Sequence, residues 1–458
     1  MSKLIRLGCI SAILLASVAP LAHSLEKQPA SVYHARRLAL SAKLHGGVAI
    51  LFAAEEPLLD FMPYRQDEDF YYLTGCSEPG AAVVIFGNGQ EGQTPPTGQS
   101  NIVALPYTEI LFLPTRDLRM EKYTGVKLDA ATPGAPQTAG VDAVQPMTDL
   151  PAVLNRLFEK NRGLAYNLWT QPLAPQAKDL VGFTATTLGM GAAPSTHDVT
   201  GPSAELRVVK DAGEIDLLKK ASTASIEAQR VMMRAVKPGT TERAIAGKMT
   251  AAWMEDGCER PAYAPIVGSG INSTTLHYAE NSRTIEDGDI VVVDAACEYS
   301  MYASDITRTV PANGHFTDRQ REIYNIVLGA QQAAIDAFVA GKSKINDRDR
   351  RDKDSLDNAA YNYINTHGKD LHGEPLGTYW LHGLGHMVGI NVHDPAVYPA
   401  ILKPGMVFTI EPGVYIPEEK LGVRIECDFL VGPDGKLIDL DAALPHTAED
   451  VEAAMQSK

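Results

Sequence analysis

The sequence has no excess of basic residues, and this lack excludes one large class of partner. Lys and Arg together number 41 against 56 Asp and Glu, which gives a formal net charge of -15. Proteins that bind nucleic acid cluster Lys and Arg to displace counterions from phosphates. We therefore expect no nucleic-acid partner. The hydrophobic fraction of 45% is ordinary for a globular protein, and 458 residues give room for two domains.

Cysteine is also scarce, with five residues in the whole chain. Cys9 lies in an N-terminal apolar run, and the other four are Cys76, Cys258, Cys297 and Cys427. None of them forms a Cys-x-x-Cys pair, which argues against a structural zinc site. An even number of cysteines does not assign disulfides, even in an oxidising compartment. We expect these four to be buried, unpaired thiols.

The first 24 residues differ in style from the rest of the chain. Lys3 and Arg6 precede an apolar run from Leu7 to Leu21, which ends at the small-x-small sequence Ala22-His23-Ser24. A membrane anchor is disfavoured because the run is shorter than the roughly 20 residues that span a bilayer. We expect residues 1–24 to be a cleaved signal peptide. The mature chain is then exported to the periplasm or secreted, without stable membrane insertion.

Short β-rich runs alternate with helical segments in the front half, which predicts an α/β sheet domain. The expected strands are Val48 to Phe52, Ala82 to Phe86, Ile110 to Leu113 and Leu164 to Trp169, with a helix around residues 153–158. A polar stretch rich in Gly and Pro, residues 87–101, is expected to be a surface loop.

Longer helices with clear capping signals begin after Pro202. The expected N-caps are Asp211 paired with Glu214, Thr317 paired with Gln320, and Thr241. The charged stretch 346–354 is expected to be a solvated helix start or loop. We place a domain boundary at about Pro202, which divides the chain into residues 25–202 and 203–458.

Two carboxylates in the second domain lie at positions where a charged side chain is energetically unfavourable. Asp294 ends the apolar run Ile290-Val-Val-Val, where a charge is unfavourable unless a cation lies beside it. Asp305 follows eleven residues later, a spacing that lets a hairpin return the second carboxylate next to the first. Taken alone, two solvated acids at a turn would explain this pattern equally well.

Histidines and a third acid follow further along the chain. His382 and His386 flank Gly-Leu-Gly, which is poor helix, and a strand there would put both rings on one face. Glu411 ends an apolar run, and the proline that follows cannot continue a strand.

The segment 423–431 alternates as a single strand. Arg424 and Glu426 share one face, whereas Cys427 faces the apolar side and is assigned to packing. Arg424 is close enough in sequence to orient Glu426.

Together these residues predict a site for two metal ions. The set is Asp294, Asp305, His386, Glu411 and Glu426. Its oxygen-rich chemistry suits manganese first, with cobalt or zinc as alternatives. Four acids cannot all stay ionised at close range without cations. Two divalent ions about 3.5 to 4 Å apart would neutralise them, hold a bridging hydroxide and polarise a scissile carbonyl.

The chain resembles the metallopeptidase family of aminopeptidase P, prolidase and methionine aminopeptidase. The matching segments, in family order, are Leu276-His-Tyr-Ala-Glu-Asn, Val293-Asp-Ala-Ala-Cys-Glu-Tyr, Ser304-Asp-Ile-Thr-Arg-Thr, His382-Gly-Leu-Gly-His-Met-Val-Gly, Val392-His-Asp, Ile410-Glu-Pro-Gly-Val-Tyr and Val423-Arg-Ile-Glu. In the front half, Tyr64 to Gly75 and Glu109 to Arg116 resemble the aminopeptidase P N-terminal domain. One departure is Ala296, where the family has glycine.

The resemblance implies a fold and a role for each residue. The fold is an α/β N-terminal domain followed by an α+β pita-bread catalytic domain with a curved antiparallel sheet. Asp294 would chelate one metal, His386 and Glu411 the other, and Asp305 and Glu426 would bridge both. The resemblance also implies a second role for Glu411, as general base.

The resemblance also implies substrate-handling residues and an activity. His277, His382 and His393 would steady the scissile carbonyl and the tetrahedral intermediate, and would transfer protons near the proline. The implied enzyme is an Xaa-Pro aminopeptidase, acting on peptides with proline in second position and assembled as a dimer or tetramer.

Other activities of the same family stay open at this point. Prolidase shares every ligand, although the segments around His277 and Asp305 are closer to aminopeptidase P. A non-catalytic peptide-binding module is disfavoured because all five ligands are present. Methionine aminopeptidase is disfavoured by the large N-terminal domain and the export signal.

Overall fold

The computed structural model describes residues 25–57, 64–87, 108–191, 196–347 and 351–456. The predicted signal peptide and residues 88–101 of the predicted surface loop lie outside these residues. Within them, no helix combines the length and the apolar character needed to cross a membrane.

The front part of the chain forms one mixed six-stranded sheet. Its strands are β1 (Val48–Phe52), β2 (Ala82–Phe86), β3 (Glu109–Leu113), β4 (Ala143–Pro146), β5 (Leu168–Thr170) and β6 (His197–Asp198). They lie in the order β4-β3-β2-β1-β5-β6. The β1–β2 and β2–β3 pairs are antiparallel and the other pairs are parallel. The helices are α1 (Ala30–Lys43), α2 (Glu68–Thr74), α3 (Glu121–Thr124), α4 (Ala135–Ala139), α5 (Leu150–Lys160), α6 (Arg162–Tyr166), α7 (Pro175–Leu188) and α8 (Thr200–Arg207).

Strand β1 lies in the middle of this sheet and is buried on both faces. Ala49 and Leu51 pack into one core with α1 and α2, while Val48 and Ile50 pack into a second core with α5 and α7. This explains why the strand is a continuous apolar run rather than an alternating one.

The expected strand from Leu164 to Trp169 is only partly correct. Residues 162–166 form the helix α6, and β5 begins at Leu168. The side-chain amide of Asn167 donates to the Leu44 and His45 carbonyls, which separates the helix from the strand.

The rest of the chain forms small antiparallel sheets covered by long helices. The helices are α9 (Ala212–Ala235), α10 (Glu242–Glu255), α11 (Asp318–Ala337), α12 (Leu356–His367) and α13 (Ala448–Gln456). The strands are β7 (Arg260–Pro261), β8 (Ile266–Ser269), β9 (Ile290–Asp294), β10 (Cys297–Tyr299), β11 (Tyr302–Ala303), β12 (Thr307–Pro311), β13 (Val407–Ile410), β14 (Gly413–Ile416), β15 (Leu421–Arg424), β16 (Cys427–Val431) and β17 (Leu437–Asp439). The sheets are β11-β10-β7, β12-β9-β8, β13-β16-β17 and β14-β15.

The capping signals are confirmed. At the start of α9 the Glu214 N–H donates to the Asp211 carboxylate, and the Asp211 N–H donates back to the Glu214 side chain. Thr317 forms the same kind of box at α11, and Thr241 caps α10. Pro202 lies inside α8, so a helix connects the first sheet to the second part of the chain.

The prediction for the cysteines is wrong for two of the four. Cys258 and Cys297 form a disulfide, while Cys76 and Cys427 are free and buried. Pairing of Cys297 with Pro261 in the β10–β7 ladder brings Cys258 close, although the two cysteines are 39 residues apart in sequence. Sequence spacing alone did not reveal this pairing because it depends on a long-range ladder.

We expect Cys258→Ser to lower the free energy of unfolding by up to about 4 kcal/mol, since opening a loop of this length restores chain entropy to the unfolded state. Urea unfolding with and without reductant measures the loss. Reductant should destabilise the wild type and leave the variant unchanged. A reductant-insensitive wild type would contradict the bridge.

Candidate metal centre

Strand pairing brings Asp294 and Asp305 to the same place. Strands β9 and β12 are antiparallel, and Thr307 lies opposite Asp294 in the register. Asp305 precedes Thr307 by two residues, after the chain has returned through the small β10–β11 hairpin. The hairpin return expected from the spacing is present, with this extra hairpin inside it.

A second pair of strands brings Glu411 and Glu426 together. Ile410, the last residue of β13, lies opposite Cys427, the first residue of β16. Glu411 follows Ile410 and Glu426 precedes Cys427, so both acids lie just beyond the same end of the ladder. The register of the β13–β16 pair therefore places the two acids near each other.

The segment 423–431 is two strands, not the single strand that was expected. Strand β15 ends at Arg424 and β16 begins at Cys427. At the break, the Glu426 N–H donates to the Thr307 carbonyl at 3.1 Å. The hydrogen bond at this break therefore joins Glu426 to β12, the strand that follows Asp305 and pairs with the strand that ends at Asp294.

The segment from His382 to His386 is a loop, and the expected strand is absent from these described residues. Asn346 holds the loop: its amide donates to the Gly385 carbonyl and its oxygen accepts from the Leu384 N–H, both at 2.7 Å. A Cβ on Gly385 would lie 2.1 Å from the carbonyl oxygen of Thr409. Glycine is therefore required where the loop crosses β13.

All nine residues singled out from the sequence line one cavity of about 270 Å³. They are His277, Asp294, Asp305, His382, His386, His393, Glu411, Arg424 and Glu426. The structure thus brings together groups that span 150 positions of the sequence, between 277 and 426. Leu276, Asn346, Gly383 and Gly385 complete the lining.

His386 lies between two of the carboxylates. Its Nε2 is 3.3 Å from Asp305 Oδ2 and 3.4 Å from Glu411 Oε1, while Nδ1 donates to the Met387 carbonyl. Burial lowers the pKa of His386, but the hydrogen bond and charge of Asp305 outweigh burial and raise it to about 9. A ring fixed through Nδ1 with Nε2 facing acids is typical of metal-binding histidines.

Arg424 has a different direct partner from the one expected. Its Nη2 donates to Asp294 Oδ2 at 2.7 Å, whereas it reaches Glu426 through a hydroxyl. Arg424 Nε donates to Thr307 Oγ1 at 3.1 Å, and that hydroxyl donates to Glu426 Oε2 at 2.6 Å. One guanidinium therefore orients two of the four acids.

The carboxylates oppose one another's ionisation. Burial raises the pKa of Glu426 well above its ordinary value, and the charges of Asp305 and Glu411 add to the effect. Burial also raises the pKa of Glu411 to about 7, although His386 acts in the opposite direction. For Asp294 burial again raises the pKa, against the charge of Arg424.

These observations fit a site for divalent cations. One ligand atom from each of Asp305, His386 and Glu426 lies within 4.8 Å of the other two. Asp294 Oδ1 is buried beside the Tyr263 hydroxyl, and neither atom has a well-formed hydrogen bond. Buried, crowded carboxylates of this kind are stable as anions only when cations accompany them.

The three other histidines divide into two kinds. His382 uses both ring nitrogens within the protein, with Nδ1 bonded to the Gly383 carbonyl and Nε2 to the Tyr415 hydroxyl, each at 2.8 Å. In the described part of the chain, the rings of His277 and His393 have no hydrogen-bond partner. These two rings therefore face the cavity with donors and acceptors available.

Two family models match the chain. Metallopeptidase family M24 covers residues 216–433, and Aminopeptidase P, N-terminal domain, covers residues 33–166. The Xaa-Pro aminopeptidase of Escherichia coli is 32% identical over 450 residues, which cover 92% of this chain and 97% of that protein. The chain belongs to metallopeptidase family M24, in its aminopeptidase P group.

Other relatives and solved structures agree with this membership of the aminopeptidase P group. Human Xaa-Pro aminopeptidase 3 is 32% identical, with 85% of this chain and 76% of that protein covered. Proline aminopeptidase P II from Yersinia pestis superposes with a TM-score of 0.79 at 31% identity, covering 93% of this chain and 99% of that one. Zinc-substituted Escherichia coli aminopeptidase P in complex with product gives the same TM-score at 30% identity, covering 94% and 99%. The predicted two-part fold with a pita-bread catalytic domain is confirmed.

Several residues that shape this aminopeptidase P-type cavity had no role predicted for them from the sequence. Tyr415 accepts a hydrogen bond from Arg424 Nη1 at 2.8 Å and contacts His382. Thr307 links Arg424 to Glu426, as described above. Asn346 lies in a charged stretch that resembled an ordinary solvated loop, and only the folded chain brings it to the cavity.

We expect Asn346→Ala to lower the turnover of peptide hydrolysis about tenfold or more, because a small displacement of groups around the reacting atoms is costly. The loop from His382 to His386 loses both of its hydrogen bonds to this side chain. Steady-state kinetics measures the effect. Asn362→Ala removes an exposed hydrogen bond on α12 and serves as the control. Equal turnover in the two variants would contradict a holding role for Asn346.

Proposed function

We propose that this chain is a metal-dependent Xaa-Pro aminopeptidase, which removes the first residue from peptides that carry proline in second position. The convergence of the nine residues on one cavity carries this proposal, together with membership of the aminopeptidase P group. Prolidase activity is not favoured, since the similar proteins named above are aminopeptidases.

We propose that two divalent ions occupy the centre, with manganese as the expected metal and cobalt or zinc as alternatives. Asp294 would hold one ion, His386 and Glu411 the other, and Asp305 and Glu426 both. When bound, such ions neutralise the acids, acidify a water molecule and polarise the scissile carbonyl.

The protein groups around this centre have separable tasks. Thr307 holds Glu426, and Thr409 Oγ1 donates to Glu411 Oε1 at 3.2 Å, so these carboxylates are oriented before substrate arrives. The free rings of His277 and His393 would donate to the oxygen on which charge develops. An Xaa-Pro bond has no amide hydrogen, so such an enzyme recognises it without the donor that ordinary peptidases use.

His382 is proposed to act through its neighbours. Because both ring nitrogens already have protein partners, a direct substrate contact would replace one of them. The chain from Arg424 through Tyr415 to His382 instead keeps this ring and the wall of the cavity in place.

The cellular setting is also a proposal. The basic start, apolar run and small-x-small end of residues 1–24 support export to the periplasm or secretion. The disulfide between Cys258 and Cys297 is compatible with an oxidising compartment. We expect two domains divided near Pro202, where long capped helices begin, and a dimer or tetramer, as the family resemblance implies.

A substrate panel tests the activity. The mature protein should cleave Xaa-Pro-Yaa tripeptides in the presence of manganese, lose this activity with chelator, and leave Xaa-Ala-Yaa controls intact. Chromatography of the products measures each reaction. Cleavage confined to Xaa-Pro dipeptides would favour prolidase, and metal-independent peptide binding without cleavage would favour a binding module.

Variants of the centre separate metal binding from substrate handling. Glu426→Ala should abolish hydrolysis and lower metal content, because a ligand shared by two ions is lost. His393→Ala should lower turnover by about 10²-fold or more, as for other oxyanion donors, while keeping metal content. Activity assays and metal analysis after dialysis measure both. Parallel loss of metal in His393→Ala would make it a ligand, and full activity in Glu426→Ala would remove the site assignment.

A further inference from the structure

The loop that carries His386 and His393 is closed by a buried carboxylate. Asp394 directly follows His393, and its N–H donates to the Met387 carbonyl at 2.8 Å. Its Oδ1 accepts from the Asn391 N–H at 3.2 Å. The closed loop brings the rings of His386 and His393 to a centroid distance of 4.0 Å.

The carboxylate lies directly against the backbone of this loop. A Cβ on Gly389 would lie 2.6 Å from Cγ and from Oδ2 of Asp394. The Gly389 carbonyl also accepts from the Ala303 N–H, two residues before Asp305. The position of Asp394 therefore fixes the loop and also the contact of this loop with the β10–β11 hairpin, which precedes Asp305.

Two buried cations hold Asp394. Arg207 Nη2 is 2.6 Å from Oδ1 and Lys210 Nζ is 3.0 Å from Oδ2. The side chains of Asp394 and Lys210 are each 1% exposed and that of Arg207 is 4% exposed. Burial alone would raise the pKa of Asp394, but the charges of Lys210 and Arg207 lower it below its ordinary value. At such depth, ion pairs hold one geometry because an unpaired charge is very unfavourable.

The cations belong to the connection between the two parts of the chain. Arg207 is the last residue of α8, and Lys210 directly precedes the N-cap of α9. Arg207 also donates to Asp69 of α2 at 2.8 Å and contacts the Asn391 side chain. The loop with the two histidines is thus attached to the N-terminal part of the protein.

We propose that Arg207 and Lys210 are positioning residues for hydrolysis, which act through Asp394 to fix His393 beside His386. The inference rests on the proposed function, because it gives His393 a task in the reaction. Neither cation lines the cavity, so both act at a distance. A displacement of His393 by about 1 Å would lower turnover by about 10²-fold.

Lys210→Met tests this role, because Arg207 remains to hold Asp394 and limits the loss of stability. We expect kcat to fall tenfold or more with KM and metal content unchanged, the pattern for a contact made only in the transition state. Lys210→Arg keeps a cation and should restore most of kcat. In a His393→Ala background, Lys210→Met should cause no further loss, since both changes remove the same contribution.

Arg36→Met is the matched control. Arg36 joins α1 to the start of α9 through Asp211 at 2.7 Å and is 6% exposed, but the pair does not touch the loop. This variant should lower stability and keep kcat. Wild-type kcat in Lys210→Met, an equal fall in Arg36→Met, or additive losses with His393→Ala would each overturn the proposal.

Crystal structures of the two variants give a reading that does not depend on activity. The His393 ring should be displaced in Lys210→Met and unmoved in Arg36→Met. An inactive wild type with a displaced ring in Lys210→Met would contradict the proposed function alone, whereas an unmoved ring would contradict the positioning role. If Lys210→Met does not fold, Asn391→Ala, which removes a partly exposed partner of Arg207, carries the same comparison.

Discussion

Repulsion among four buried carboxylates is the constraint on which the rest of the catalytic part depends. Asp294, Asp305, Glu411 and Glu426 line one small cavity together with the guanidinium of Arg424. In water four such charges would separate, and in a protein interior each is costly without a partner. The proposed pair of divalent ions would bring four positive charges, which matches the number of acids. Metal binding and folding of this region are therefore expected to be coupled.

The fold keeps these acids together through backbone register. Asp294 ends β9, Glu411 directly follows β13, and Glu426 directly precedes β16. At the end of a ladder the backbone still follows the strand, but the side chain leaves the apolar core and lines the cavity. The antiparallel β9–β12 ladder brings Asp294 beside the segment that carries Asp305, and the antiparallel β13–β16 ladder brings Glu411 beside Glu426. The acids cannot separate unless the strand pairing breaks, so the backbone hydrogen bonds of the ladders oppose the repulsion between the carboxylates.

Whether a feature could be predicted from the sequence depends on how far apart along the chain the interacting residues lie. Local signals were sufficient for the capping box at Asp211, for strand β1 and for the acid at the end of β9, because neighbouring residues decide these features. The residues that line the cavity were singled out because charges in apolar runs are unusual and because the motifs resemble a family. The Cys258–Cys297 bridge and the approach of Asn346 to the cavity were missed, since each depends on partners dozens of residues away.

The acids and the histidines are held by different means, and this difference determines where the site is sensitive to change. Strand ladders fix the carboxylates, so many backbone hydrogen bonds together hold them in place. The loops around His382 and His393 are not part of a ladder, and buried side chains help to hold them, Asn346 in one case and Asp394 in the other. Loss of one such side chain is expected to displace a histidine while the ladders that carry the carboxylates stay in place. Substrate handling is therefore expected to respond to residues that never touch substrate, whereas the strand ladders fix the four carboxylates of the proposed metal centre.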